Sequence, residues 1–402
     1  MSVWRAFVAM IALALAAGSA RAEDGLSGMA QLSLGGGDGE ESWLDGGFGK
    51  TAWSDTEARL SQAVLEWRPS LAFSTSATVS LQYQDRVHPG VDLNEAYLSL
   101  KAPPMAAGRL SGRAGLFYPP VSLEHPGVGW TTQDTITASA LNTWIGEEVK
   151  VGGLEASFAR DVGGHELTAT GAIFGWNDTS GTLLTFRGWA LGETRAGSQT
   201  EFHLPPLSAF MESKQSDETY PVLELDGRAG YYGRLEWRPP APVSVEVFHY
   251  DNAGSRTAVE DGQWAWETRF TNVGLSWEPD ERTRVLAQAM TGETLMGYRT
   301  PQIWVDMGFR AAYLSASRDI AGNTLTGRLD WFDTDDRSWV HADNNDEKGW
   351  AVTAAWRRPL ADHADLLVEA QQVSSERPSR ALAGDDPQQD DFVLQTALRL
   401  HF

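Results

Sequence analysis

Along most of this chain apolar side chains recur at every second position, the period of a strand with one dry face and one wet face. The clearest case is 73–84, where Phe73, Ala77, Val79, Leu81 and Tyr83 alternate with Ser74, Ser76, Thr78, Ser80, Gln82 and Gln84. The segment 225–237 sets Leu225, Gly227, Ala229, Tyr231, Gly233, Leu235 and Trp237 against Asp226, Arg228, Gly230, Tyr232, Arg234 and Glu236. At the end of the chain, Phe392, Leu394, Thr396, Leu398, Leu400 and Phe402 form one row and Val393, Gln395, Ala397, Arg399 and His401 the other. A final strand that closes on an aromatic, with a lipid-facing row beside a wetter one, is the signature of a transmembrane β-barrel.

The same alternation predicts strands near 26–34, 57–68, 72–85, 92–102, 108–118, 147–160, 164–177, 222–238, 242–253, 264–278, 282–294, 302–317, 322–334, 347–358, 362–376 and 390–402, sixteen in all. Four of them end in one device, a Trp followed by charge and Pro: Trp67-Arg68-Pro69, Trp237-Arg238-Pro239, Trp277-Glu278-Pro279 and Trp356-Arg357-Arg358-Pro359. Proline cannot continue a ladder, so each site marks a strand end and a tight turn. The four Trp are therefore expected in one interfacial belt, at the short-turn, periplasmic end. The long connections, 35–56, 119–146, 178–221, 254–263, 335–346 and 377–389, then all fall outside the cell. The segment 182–191 has the composition of a strand, but a seventeenth strand breaks the even count of single-chain bacterial barrels, so it is read as part of an external loop that can hold a short hairpin. A change of parity across Gly152-Gly153 predicts a β-bulge there.

The ends and the composition narrow the class. Arg5, an apolar run 6–17 and the small-residue site Ala20-Arg21-Ala22 predict an export signal, 1–22, cleaved to leave one barrel domain, 23–402. That run is shorter than the roughly 20 residues a membrane helix needs. Cysteine is absent, which excludes a disulfide framework and thiolate metal sites. A formal net charge of −22 argues against nucleic acid as a partner.

Candidate chemistry concentrates in the lumen. The stretch 119–146 leaves its strand through Pro119-Pro120 and carries Val121, Leu123, Val128, Trp130, Ile136, Leu141, Trp144 and Ile145, which need cover. It is expected to fold inward as a constriction; the alternative is a cap or a contact with a neighbouring subunit. Parity turns Arg109 and Arg113 inward at the root of this loop, and Arg228, Arg234, Arg310, Arg328, Glu95, Lys101, Asp226, Asp306 and Asp330 inward elsewhere. Glu124, His125, Asp134, Glu147 and Glu148 oppose them from or near the loop. Opposed rows of fixed charge create a transverse field that selects solutes by charge, whereas paired charges merely satisfy one another. The His residues show no pair at metal-ligand spacing along the chain, the acidic clusters at 333–347 and 385–391 lack the form of a calcium loop, and no nucleophile or phosphate-binding motif appears. No cofactor or metal site is expected from these spacings.

Asn94-Glu95-Ala96-Tyr97-Leu98, then Gly112-Arg113-Ala114-Gly115-Leu116-Phe117 with Pro119-Pro120 and Glu124, resembles the distant superfamily of phosphate-selective and related Gram-negative porins. The run from Asn142 to Val149 is similar to an uncharacterised porin-like group. The resemblance covers about 92–160 and implies a sixteen-stranded, trimeric channel in the outer membrane, among lipopolysaccharide. Phosphate-selective members line their pores with Arg and Lys, and this chain is poor in Lys, so phosphate itself is not implied. The function expected is passive diffusion of small hydrophilic solutes or ions, and not enzymatic. Two other readings stay open: a structural or adhesive barrel with an occluded lumen, and a hydrolase using His88, His125 or His249.

Overall fold

The computed structural model describes residues 25–299, 303–340 and 343–402. The expected export signal lies outside them. Sixteen antiparallel strands follow one another around a closed sheet: β1 (Leu26–Gly37), β2 (Glu57–Trp67), β3 (Thr75–Gln84), β4 (Val91–Lys101), β5 (Arg109–Phe117), β6 (Val151–Val162), β7 (His165–Gly175) and β8 (Gly230–Arg238) make the first half. The second half is β9 (Val243–Asp251), β10 (Glu267–Asp280), β11 (Thr283–Arg299), β12 (Ile303–Ile320), β13 (Asn323–Asp336), β14 (Glu347–Ala361), β15 (Ala364–Glu376) and β16 (Gln388–His401). Each strand pairs with the next, and β1 pairs with β16 from Met29↔His401 to Gly37↔Val393, so no edge is left open. All sixteen expected strands are present.

Along β16 parity sorts the wall as the sequence predicts. Phe392 and Leu394 of β16 are exposed on the outside, and Val393, Gln395, Ala397 and Arg399 are buried inside. Trp67, Trp237 and Trp277 are outward and exposed near the short-turn end, and Trp356 is outward and half-buried at the same end. A second belt, not foreseen, lies toward the long-loop end, where Trp331 of β13 faces its cross-strand partner Trp350 of β14.

Three local expectations fail. No bulge occurs at Gly152-Gly153, because both residues pair in register with β5 and β7. The parity change arises instead from a helix, α1 (Ala140–Glu148), that ends just before β6 begins, so Glu147 and Glu148 belong to the helix and not to a strand. Register shifts are found elsewhere, at Gln31/Leu32 on β1–β2 and at Ser80/Leu81 on β3–β4. The strand expected over 222–238 starts only at Gly230, since Gly227 adopts a φ of +70° that a strand cannot continue.

Candidate functional site

Two long connections enter the barrel. The first, 118–150, leaves β5 and crosses to the opposite wall. Gln288 of β11 accepts the Leu123 N–H at 3.1 Å, Asp330 of β13 accepts the Ala140 N–H at 3.0 Å, and Glu369 of β15 accepts the Ile136 N–H at 2.7 Å. Arg399 of β16 donates to the Thr132 carbonyl at 2.8 Å, and Arg284 of β11 pairs with Asp134. Burying these backbone groups without partners would cost a few kcal/mol each, so every crossing point is bonded to the wall. At its centre α1 starts from Ser139, whose hydroxyl accepts the Asn142 N–H at 3.2 Å. Every residue of α1 is buried.

The helix packs on an apolar wall. Trp144 meets Phe270 of β10 and Phe309 of β12 at ring-centroid separations of 5.4 and 5.1 Å, and Phe174, Tyr232, Phe248, Tyr250 and Phe332 extend the surface. On this side the lumen face of the sheet is the dry one.

The second inward segment belongs to the connection 176–229. The sequence places 178–221 outside the barrel; its part 178–200 is buried within, with a short helix α2 (Thr182–Phe186) where a strand-like composition stood. The N–H groups of Leu183 and Leu184 donate to Glu148 of α1, and Trp189 adds its ring to the Trp144 cluster at 6.0 Å. Glu193 and Arg195 then run along a polar wall made by β1 to β4. Gln62 donates to Glu193 at 2.7 Å, and Arg195 donates to Gln62 at 2.8 Å.

The expected site residues divide into three groups. Arg328 is buried at the centre, donating to Asp330 at 2.8 Å and to the Thr137 and Ala138 carbonyls at 2.7 and 2.8 Å, with Glu124 at 3.3 Å. His125 stacks on Trp130 at 3.6 Å, and Trp130 stacks on Tyr118 at 4.1 Å. Asp134, Glu147 and Glu148 also lie inside, Glu147 accepting from Arg187 at 2.7 Å. Nearer the short turns, Arg113 binds Glu155 through two nitrogens at 2.8 and 3.0 Å, Glu95 accepts the Tyr118 N–H at 3.1 Å, Arg234 faces Glu246 and Glu236, and Arg109 pairs with Glu166. Four expectations of inward orientation are wrong. Arg310 points outward and binds Asp333 on the outer wall, because the inner row of β12 is the apolar one, Val305, Met307, Phe309, Ala311 and Tyr313, packed toward the inserted loops. Arg228 is exposed on the loop before β8. Asp306 is outward as well, paired with Arg337 at 2.6 Å, and Asp226 lies in the same loop as Arg228.

Sequence reasoning missed the cluster that pins the second inserted segment to the rim. Lys50 reaches Glu347 at 2.7 Å, Arg377 reaches Glu347 at 3.2 Å and the Thr185 carbonyl at 2.7 Å, and Lys50 also donates to the Arg187 carbonyl. Gly188 lies against the Glu347 carboxylate, where a Cβ has no room. Burial pushes Lys50 down to about 7 and Glu148 up to about 7, the latter against the donors Leu183, Trp144 and Leu184. Burial, with Arg195 and Arg328 near, holds His125 well below the usual imidazole range. His88, His125 and His249 are not brought together: His88 lies in the external turn 85–90, His125 in the lumen and His249 on the outer face of β9.

No protein-family model matches the chain, and no curated protein matches it in sequence. Solved structures do match. The outer membrane channel DcaP of Acinetobacter baumannii superposes with a TM-score of 0.57 at 10% identity, over 94% of this chain and 96% of that one. This chain has the porin fold. The anion-selective porin from Comamonas acidovorans gives a TM-score of 0.51 at 13% identity, over 94% of this chain and 98% of that one. Salmonella typhi OmpF, solved with daunomycin, gives 0.50 at 10% identity, over 94% and 99%. In this porin fold the closed sheet, with its apolar outer face and aromatic belts, is an outer-membrane barrel. The connection after its fifth strand lies in the lumen.

Proposed function

We propose that the protein is a narrow diffusion channel for small hydrophilic solutes or ions, made after removal of 1–22. The observation that carries this reading is the division of the lumen: α1 and its aromatic neighbours fill the side of β7 to β13, while the opposite side is polar, its Gln31, Ser33, Gln62, Ser80, Gln82 and Gln84 buried against the segment that carries Glu193 and Arg195. Amides, hydroxyls and fixed charges exchange readily with the hydration shell of a polar solute. Arg195 is buried, and its Nε and Nη2 have no hydrogen-bond partner among the described residues, so the guanidinium stands on this wall as a charge only partly satisfied by the protein.

Below this level Arg109 and Arg113 stand paired with Glu166 and Glu155. Replacing Arg109 and Arg113 together by Ala removes two positive charges, leaving Glu155 without its arginine and Glu166 with Arg238 alone, and selectivity should move toward cations, read as a shift in reversal potential under a salt gradient. Arg195→Gln should move it in the same direction. Unchanged reversal potentials in both variants would exclude these residues from the path.

The same reading takes the assembly to be a homotrimer set in lipopolysaccharide. Outward Arg269, Arg310 and Arg337, each paired with carboxylates at the long-loop end, supply a charged band suited to headgroups. A second reading, an occluded structural barrel, is favoured by the fully buried Trp144 and Trp189 cluster, and a folded protein that never conducts would support it.

A further inference from the structure

The connection 176–229 contains a two-stranded ribbon, Phe202–His203 paired with Glu218–Thr219, that stands outside the membrane wall. Its register places His203 opposite Glu218 and Phe202 opposite Thr219. Alternation does the rest. Phe202 and Leu204 turn inward and join a buried cluster with Met211, Trp264 and Trp266, which fixes the ribbon on its support. The other face carries Glu201, His203, Glu218 and Tyr220.

On that face one carboxylate oxygen from each Glu and one ring nitrogen of His203 lie within 4.8 Å of one another. The external turn 85–90 brings a second imidazole: His88 Nδ1 lies 3.4 Å from Glu201, and the His88 carbonyl accepts the Glu201 N–H at 2.7 Å. Two features of the group are unbalanced without a cation. Among the described residues neither Glu201 nor Glu218 has an arginine or lysine partner. The Tyr220 hydroxyl sits 3.1 Å from Glu201 and 2.9 Å from Glu218, yet it has one proton and satisfies only one of them. Two carboxylates therefore face each other across a single donor.

We propose that this face binds a borderline divalent transition ion of the Zn2+ class through Glu201, His203 and Glu218, with His88 completing a four-coordinate set. Mixed imidazole and carboxylate donors suit such an ion, whereas Ca2+ and Mg2+ prefer oxygen-only sets of six or more. Ligand atoms around zinc sit about 2.0–2.2 Å from the metal, so the group must close slightly, and His203 and His88, at 58% and 75% side-chain exposure, are free to move. The ion would staple the turn 85–90 to the ribbon and so fix the mouth of the barrel. The proposal does not depend on whether the lumen conducts. Chain spacing hides the site because its residues come from three separate stretches.

The test is calorimetric titration of the purified, detergent-solubilised protein with ZnCl2, beside CaCl2 and MgCl2. One saturable Zn2+ equivalent is expected, weakened at least about tenfold in His203→Ala and in Glu218→Gln, since losing even a group that supports a ligand typically costs 10–100-fold. Glu224→Gln, in the separate acidic group Asp178, Glu224 and Asp226, should leave the affinity unchanged. Heat-modifiable migration on gels verifies that each variant is a folded barrel. Absence of saturable Zn2+ binding, equal binding in folded His203→Ala and Glu218→Gln variants, or a loss confined to Glu224→Gln would overturn the assignment.

Discussion

Arg328 shows how a single side chain holds an inserted loop. Its guanidinium pairs with Asp330 and Glu124 and takes up two loop carbonyls, all in a buried setting. Removing one partner from such a group strands the other charges, at a cost of roughly 3–5 kcal/mol. Arg328→Gln should therefore lower the free energy of unfolding by about that amount, measured by urea titration in lipid vesicles; a change within ~1 kcal/mol would show that water already reaches the carboxylates. Arg310 marks the limit of reading residues by parity. The rule that polar means inward assumes a wet lumen, and on β12 the lumen side is dry, so the rule inverts for Arg310 and Asp306 while it holds for Arg113, Arg234 and Arg328.

At the scale of elements, the strands were legible because lipid enforces alternation on every outward row, most plainly in Phe392 to Phe402. The helix α1 was not, because it is buried on all sides and so shows no amphipathic period; its start signal at Ser139 was present and unread. The entry of 178–200 into the lumen left no local trace, since what buries it is Glu347, Arg377 and Glu148, all remote in sequence. α1 also carries a pH dependence. The Glu148 carboxyl is pushed up from an ordinary 4.5 to about 7 in the folded protein, so its contribution to stability is fully present below the unfolded value and is lost as pH rises through about 7. Glu148→Gln should flatten the stability profile between about pH 4.5 and 7; a profile of unchanged slope would assign the dependence elsewhere. Deleting 124–136 should raise conductance while the barrel stays closed, because the sixteen strand pairings do not include the loop. Unchanged conductance would place the narrowest point outside this loop.

For the whole molecule, the sheet and its belts account for residence in a membrane, and the two inserted loops account for what the lumen can do. Their packing is asymmetric, with rings on one side and amides, hydroxyls and charges on the other. The central claim is that the second side conducts. Single-channel recording of the folded wild-type protein in planar bilayers tests it most directly. Small, persistent current steps, which enlarge when 124–136 is removed and shift toward cation selectivity when Arg109 and Arg113 become Ala, are the predicted result; protein that inserts and stays folded yet passes no current under any ionic condition would contradict it.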